Sequence, residues 1–303
     1  MQHAGRRHSG LALTFAAPAK INLALHVVGQ RADGHHLLES LVTFAECGDR
    51  VGLIAADRDR FTVSGRFATD LSAEGNGGNL VLRARDLLRR ELAAQGRMAG
   101  PVHLHLEKNL PIASGIGGGS ADAAATLRGL LSLWGATVEA ASLNSLALQL
   151  GADVPMCLDR GPLVARGIGE EITPLPDLPP FDVVLVNPLV AVSTPVIFRS
   201  LVRKTNPPLV LPEDARSTAE WLTAMAAMRN DLEPPARAHE PMIETVSNAL
   251  RDAGAALVRM SGSGATCFGL FTGMKSAERA AETISAGHPR WYVQATRTAG
   301  KSG

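Results

Sequence analysis

The chain has 303 residues, 46% of them hydrophobic and 19% charged, enough apolar material for one large domain or two modest ones with an ordinary soluble core. Its 30 lysines and arginines nearly balance 29 aspartates and glutamates, for a formal charge of +1, which argues against a nucleic-acid surface. The balance still permits a local anion site, because backbone amides bind phosphate without adding formal charge.

Residues 1–10 read as a disordered tail, since the apolar stretch behind Arg6 and Arg7 is barely seven residues long and too short for a secretory leader. Residues 11–30 alternate as a strand and end at "RADGHH", a turn punctuated by Asp33-Gly34. "SLVTFAECGDRVGLIAA" reads as two strands around a Gly48-Asp49 turn. From Gly77 to Gln95 the apolar spacing is helical, with Asn79 as its cap. "VHLHLEKNL" puts Val102, Leu104 and Leu106 on one face of a strand and leaves His103 and His105 on the other, solvated. A helix is expected from about Ser120 to Trp134, a second from Ser142 to Leu150, and a hairpin in "GPLVARGIGEEITPL". The proline-rich segment 173–181 reads as a domain connection. Beyond it come a strand ("DVVLVNP"), two helices and a closing strand-turn-strand, "ALVRMSGSGATCFGLF". Strands and helices mix irregularly, so the fold class is α+β rather than a doubly wound parallel sheet. No stretch approaches the roughly 18–20 unbroken apolar residues of a membrane span. Cys47, Cys157 and Cys267 fit no metal or redox spacing and read as core fillers in a reducing cytoplasm.

The stretch that carries chemistry is "LPIASGIGGGSADAAATLRGLL", where Gly115, Gly117, Gly118 and Gly119 precede a strong helix former. Glycines tolerate positive φ and let several N–H donors converge, and a helix start behind them adds unpaired amides and a favourable dipole. No Gly-Lys-Ser/Thr closes the loop as in a P-loop, and the dinucleotide-binding spacing is absent. The residues alone leave two readings open, an anion cradle or a flexible strand-to-helix turn.

Three further stretches bear on that choice: "APAKINLALHV", with Lys20 and Asn22 on one strand face; "LGADVPMCL", with Asp153 just past a helix end; and the second glycine turn, Ser261 to Gly264. Together they resemble the GHMP kinases. "PIASGIGGGSADAA" is similar to that family's Pro-x-x-x-Gly-Leu-Gly-Ser-Ser-Ala phosphate loop, and "SGSGATCFGLF" to its third motif. The resemblance covers residues 16 to about 295. It is closest to the branch whose substrate is a cytidyl diphosphate of methylerythritol, in non-mevalonate isoprenoid precursor synthesis. "RADGHH", "GADVP", "ARGIGEEITPL", "STPVIF" and "NDLEP" carry that closer likeness.

The resemblance implies two lobes, a nucleotide-binding one over residues 11–172 and a ferredoxin-like, substrate-side one over 173–303, with the site between them. It implies ATP and Mg²⁺, a small-molecule substrate, neither nucleic acid nor membrane as partner, and a cytoplasmic monomer or weak homodimer. Pro111, Ile112, Ala113, Ser114, Gly115, Ile116, Gly117, Gly118, Gly119, Ser120 and Ala121 become the nucleotide loop, with Ser120 the side-chain oxygen nearest Mg²⁺. Asp153 becomes the base for the substrate hydroxyl and Lys20 the cation that keeps it ionised. Asn22 would bond the hydroxyl or Asp153, while His35, His36 and Phe198 would hold the cytosine. His35 departs from the Tyr common in that branch, and Ala121 from a frequent second serine. Read without the resemblance, Asp153 is a helix or turn cap, Lys20 and Asn22 are solvated strand residues, and Phe198 is core. Other functions compatible with the motifs are phosphorylation of another small alcohol, or nucleotide binding without catalysis.

Overall fold

The computed structural model describes residues 13–73, 78–213, 215 and 217–299. The expected tail, 1–10, lies outside the described residues. Strand β1 (Leu13–Gln30) turns at Gly34, where φ is +91°, and returns antiparallel as β2 (His36–Ala55). The expected turn at Gly48-Asp49 does not form, and β2 runs straight through both residues. Gly48 instead serves a close approach, since a Cβ there would stand 2.3 Å from the carbonyl oxygen of Ala17.

One edge of β2 pairs with β1. The other is shared by β4 (Val102–Glu107), along Arg50–Ala55, and β5 (Leu163–Gly167), along Leu38–Val42. Strand β3 (Arg60–Ser64) lies parallel to β4, and β6 (Glu171–Pro174) completes the hairpin with β5. His103 and His105 are half-buried rather than fully solvated, because Thr62 and Ser64 of β3 hydrogen-bond to their rings.

Helices α1 (Ala68–Ala73), α2 (Leu80–Ala94), α3 (Gly118–Leu133), α4 (Ala140–Leu150) and α5 (Val154–Asp159) accompany this sheet. Asn79 caps α2 as expected, its side chain accepting from the Val81 amide at 2.9 Å. Helix α3 lies close against β1 and β2 because its inner face is Ala121, Ala123, Ala124, Ala125 and Gly129; a Cβ on Gly129 would stand 2.4 Å from Leu53. It begins two residues before the expected Ser120, since Gly117 at φ +64° forms its N-cap and admits Gly118 and Gly119 to the first turn.

The second sheet has the order β10-β7-β9-β8, all antiparallel: β7 (Asp182–Asn187), β8 (Leu257–Met260), β9 (Cys267–Phe271) and β10 (Tyr292–Arg297). Among the described residues four helices separate β7 from β8, where the sequence suggested two: α6 (Thr194–Arg199), α7 (Thr218–Ala226), α8 (Glu233–His239) and α9 (Met242–Asp252). At six and seven residues, α6 and α8 are too short to display a period. Nor does the chain close at β9, for α10 (Met274–Gly287) and β10 follow and give the β-α-β-β-α-β order of a ferredoxin-like lobe.

Val183, Val184, Leu185 and Val186 form an unbroken apolar run because both faces of the second sheet are covered. Val183 and Leu185 meet Ile21, Leu23 and Leu41 of the first sheet. Val184 and Val186 meet Ile243, Val246, Ala277 and Ile284 of the outer helices. The fold is therefore α+β with two lobes whose sheets share a core. No helix among the described residues is long and apolar enough to cross a membrane.

Candidate active site

A cleft of about 1190 Å³ opens where the start of α3, β1 and the start of α5 face the second lobe. Pro111, Ile112, Ala113, Ser114, Gly115, Gly117, Gly118, Gly119 and Ser120 line it, as do Lys20, Asn22, His35, His36, Asp153 and Phe198. Two residues of the expected loop do not reach it. Ile116 and Ala121 turn inward and are buried, Ile116 contributing instead a carbonyl to the amide of Lys20 at 2.8 Å.

The loop's shape depends on positive φ at Ala113 (+48°), Gly115 (+76°) and Gly117 (+64°). The second glycine turn braces it from the other lobe. Ser261 Oγ donates to the Gly115 carbonyl at 3.0 Å, and the Thr266 amide donates to that of Ser114 at 3.2 Å. The approach is so close that a Cβ on Gly115 would lie 2.5 Å from the Ser261 carbonyl oxygen. Asn230, in "NDLEP", holds that turn by donating to the carbonyls of Met260 and Gly262, both at 2.8 Å. At the head of α3 the amides of Gly118, Gly119 and Ser120 precede the first intrahelical bond, which runs from Ala121 to Gly117.

Lys20 is buried, with only 5% of its side chain exposed, and its Nζ donates to Asp153 Oδ2 at 2.8 Å. It passes beside Gly117, where a Cβ would stand 3.1 Å from its own. Asp153 occupies the N-cap of α5 but caps no amide; its carboxylate, 42% exposed, faces the cleft and Lys20. Asn22 donates from Nδ2 to Ser40 Oγ at 2.8 Å, and its Oδ1 is buried with no hydrogen-bond partner. Beyond them the His36 and Phe198 rings stack on each other, centroids 5.0 Å apart at 29°. The His36 Nε2 is buried and unpartnered. Burial, helped by the charges of Lys204 and His35, pulls the His36 pKa below the ordinary histidine value, so the ring is neutral at physiological pH. His35 points outward and pairs with Asp33 at 3.2 Å.

The descriptions "GHMP kinases N terminal domain" and "GHMP kinases C terminal" match residues 79–161 and 201–290. The chain is 81% identical over 297 residues to the 4-diphosphocytidyl-2-C-methyl-D-erythritol kinase of Sinorhizobium medicae, covering 97% of this chain and 98% of that one. The chain belongs to the GHMP kinases. The kinase of the same description from Rhizobium etli is 60% identical, covering 96% of this chain and 97% of that one. A crystal structure of 4-(cytidine 5'-diphospho)-2C-methyl-D-erythritol kinase superposes with a TM-score of 0.76 at 35% identity, covering 95% of this GHMP kinase and all of the other chain. As a GHMP kinase, the protein is a phosphotransferase that uses ATP.

The sequence reading overlooked a second charged group. Lys108, just past β4, is buried under the loop and donates to Asp49 Oδ2 at 2.5 Å and to Asp122 Oδ2 at 2.8 Å. Asp49 read as turn punctuation and Lys108 as a strand end. The available signal was Asp122, a charge inside the apolar run "GGSADAAATL", where it had to be buried.

Proposed function

We propose that the protein transfers the terminal phosphoryl group of ATP to the 2-hydroxyl of 4-diphosphocytidyl-2-C-methyl-D-erythritol. The observation that carries this is the Lys20–Asp153 contact of 2.8 Å in the same cleft as the glycine loop and the His36–Phe198 pair. Relatives that name this substrate match nearly the whole chain.

Phosphoryl transfer depends chiefly on positioning and on stabilising developing charge. The free amides of Gly118, Gly119 and Ser120, with the N-terminal dipole of α3, receive the phosphates of ATP. Asp153 accepts the hydroxyl proton as the substrate oxygen bonds to the γ-phosphorus and the bond to the leaving ADP breaks, carrying its electron pair to ADP. A tertiary alcohol is weakly acidic, so the proton moves as the new bond forms rather than before. The Lys20 ammonium, 2.8 Å from Asp153, orients that carboxylate in the cleft and offsets negative charge on the transferred group. The unpartnered Asn22 Oδ1 accepts from a neighbouring hydroxyl of the substrate and leaves the reacting proton to Asp153. Neutral His36 offers the cytosine one donor and one acceptor, and Phe198 offers a ring face. His35 covers the outer edge.

No group of three His, Cys, Asp or Glu among the described residues is arranged to hold a metal. That suits Mg²⁺ carried by the phosphates of ATP, which needs few protein ligands, with the Ser120 hydroxyl as its contact here. When bound, the ion neutralises phosphate charge. The division into lobes over 11–172 and 173–303 is supported by the proline-rich stretch between β6, which ends at Pro174, and β7, which begins at Asp182. The buried, unpaired Cys157 and Cys267 suit a reducing cytoplasm, and the protein works there as a monomer or weak homodimer.

A coupled ADP-release assay compares the cytidyl substrate with mevalonate, homoserine and galactose. Turnover confined to the cytidyl substrate is expected; faster turnover of any other alcohol overturns the assignment.

A further inference from the structure

The phosphate loop leaves the first sheet after β4 and ends in α3, and one buried ion cluster touches both ends. At the departing end, Asp49 Oδ1 accepts from the amides of Asn109 at 2.5 Å and Leu110 at 2.8 Å. Its other oxygen takes the Lys108 ammonium at 2.5 Å. Lys108 then reaches across to Asp122, on the second turn of α3, at 2.8 Å. Asp49 is 1% exposed, and Lys108 and Asp122 3% each, so no water shell screens these contacts. The cluster lies directly beneath the loop, for a Cβ on Gly118 would stand 3.0 Å from Lys108 Nζ. One oxygen of Asp122, Oδ1, is buried without a partner, although the residue borders the cleft.

We propose that Asp49, Lys108 and Asp122 are positioning residues for ATP: a buried strap that fixes both ends of the phosphate loop in the shape that receives the nucleotide. This rests on the kinase reading above. One ammonium serves two carboxylates, so the cluster carries a surplus negative charge wherever both are ionised. Asp49 is committed by three donors. Asp122 receives one, so Lys108 is what joins it to the departing end of the loop. Burial raises the Asp122 pKa, Lys108 opposes it and Asp49 adds to it, leaving it at about 7. Burial works against the Lys108 charge, but the two carboxylates overcome it and hold the ammonium protonated.

Besides these two, the Cys157 thiol of α5 feels Asp122, and burial pushes that thiol up to about 12, so it stays neutral. From β1, Lys20 shares the cleft wall and is engaged by Asp153.

The test joins steady-state kinetics of the whole protein to calorimetric titration with the β,γ-imido analogue of ATP and Mg²⁺. Lys108→Met, checked for folding by its thermal transition, should raise the KM for ATP roughly ten-fold with the KM for the alcohol within two-fold. Asp122→Asn, which keeps the shape and one hydrogen bond, should change the KM for ATP less. A Lys108→Met variant that raises both KM values equally, or neither, overturns the positioning role. Absence of any binding heat in the wild type would overturn the kinase reading itself, a result distinct from binding that Lys108→Met leaves unchanged.

Discussion

Lys20 reaches Asp153 by running along Gly117, where a Cβ would stand 3.1 Å from its own, so the loop glycine and the cation are packed against each other. The carboxylate could have been spent as a cap for α5, the ordinary work of an aspartate before Val-Pro, yet it caps nothing and stays with the lysine in the cleft. That makes Asp153→Asn an informative change. The amide keeps the shape and can still accept from Lys20, but it cannot receive a proton from the substrate. Turnover should fall by about 10²–10⁴-fold while calorimetric affinities for ATP and the cytidyl substrate stay within a few-fold. Unchanged turnover would remove Asp153 as the base. Both residues were legible in sequence because each lies in a short, distinctive string. The Asp49–Lys108–Asp122 cluster was not: its members are 59 and 14 residues apart, and only the fold makes them neighbours.

At the scale of an element, the instructive case is β2. Gly-Asp between apolar runs is ordinary turn chemistry, and local propensity had no means of showing that a partner strand presses on that glycine. In the folded chain Gly48 faces Pro18 within the β1–β2 pair, next to a register shift where Ala19 of β1 is matched by Ala45, Glu46 and Cys47 of β2. A Cβ at position 48 would stand 2.3 Å from the Ala17 carbonyl oxygen and 2.6 Å from the Pro18 Cα, and backbone on a paired strand cannot move aside easily. Gly48→Ala should therefore lower stability by about 1–3 kcal/mol in chemical denaturation, the scale of overpacking a tight site. An ordinary turn glycine at φ below zero would give a change near zero or a slight gain. Helix α10 escaped the sequence reading for the opposite reason. Its buried face is Ala277, Ala280 and Ile284, two of them too small to make a visible apolar stripe, and only its packing on the second sheet identifies it.

Across the whole molecule, the two lobes are joined by more than apolar contact. Arg259 of β8 is 6% exposed and reaches back to β1, donating to the Leu23 carbonyl at 2.5 Å. Its other nitrogen donates to the carbonyls of Met225 at 2.8 Å and Met228 at 2.7 Å, at the C-terminal end of α7, where the helix dipole favours a cation. Burial draws its pKa down to about 10, which still leaves the guanidinium charged at neutral pH. One side chain thus ties the second sheet to the strand that carries Lys20 and Asn22. Arg259→Met fills much of the same volume but takes the side-chain donor from the buried Leu23 and Met228 carbonyls, each costing about 1–3 kcal/mol if nothing replaces it, while the Met225 carbonyl keeps the Met228 amide. A loss of at least about 2 kcal/mol is expected from the denaturant midpoint, with only partial recovery in Arg259→Lys, because a single ammonium cannot reproduce the planar fork that serves three acceptors. A loss below about 1 kcal/mol would mean that water enters and satisfies those carbonyls, and that the lobes are held by the shared core of Ile21, Leu23, Val183 and Phe268 alone.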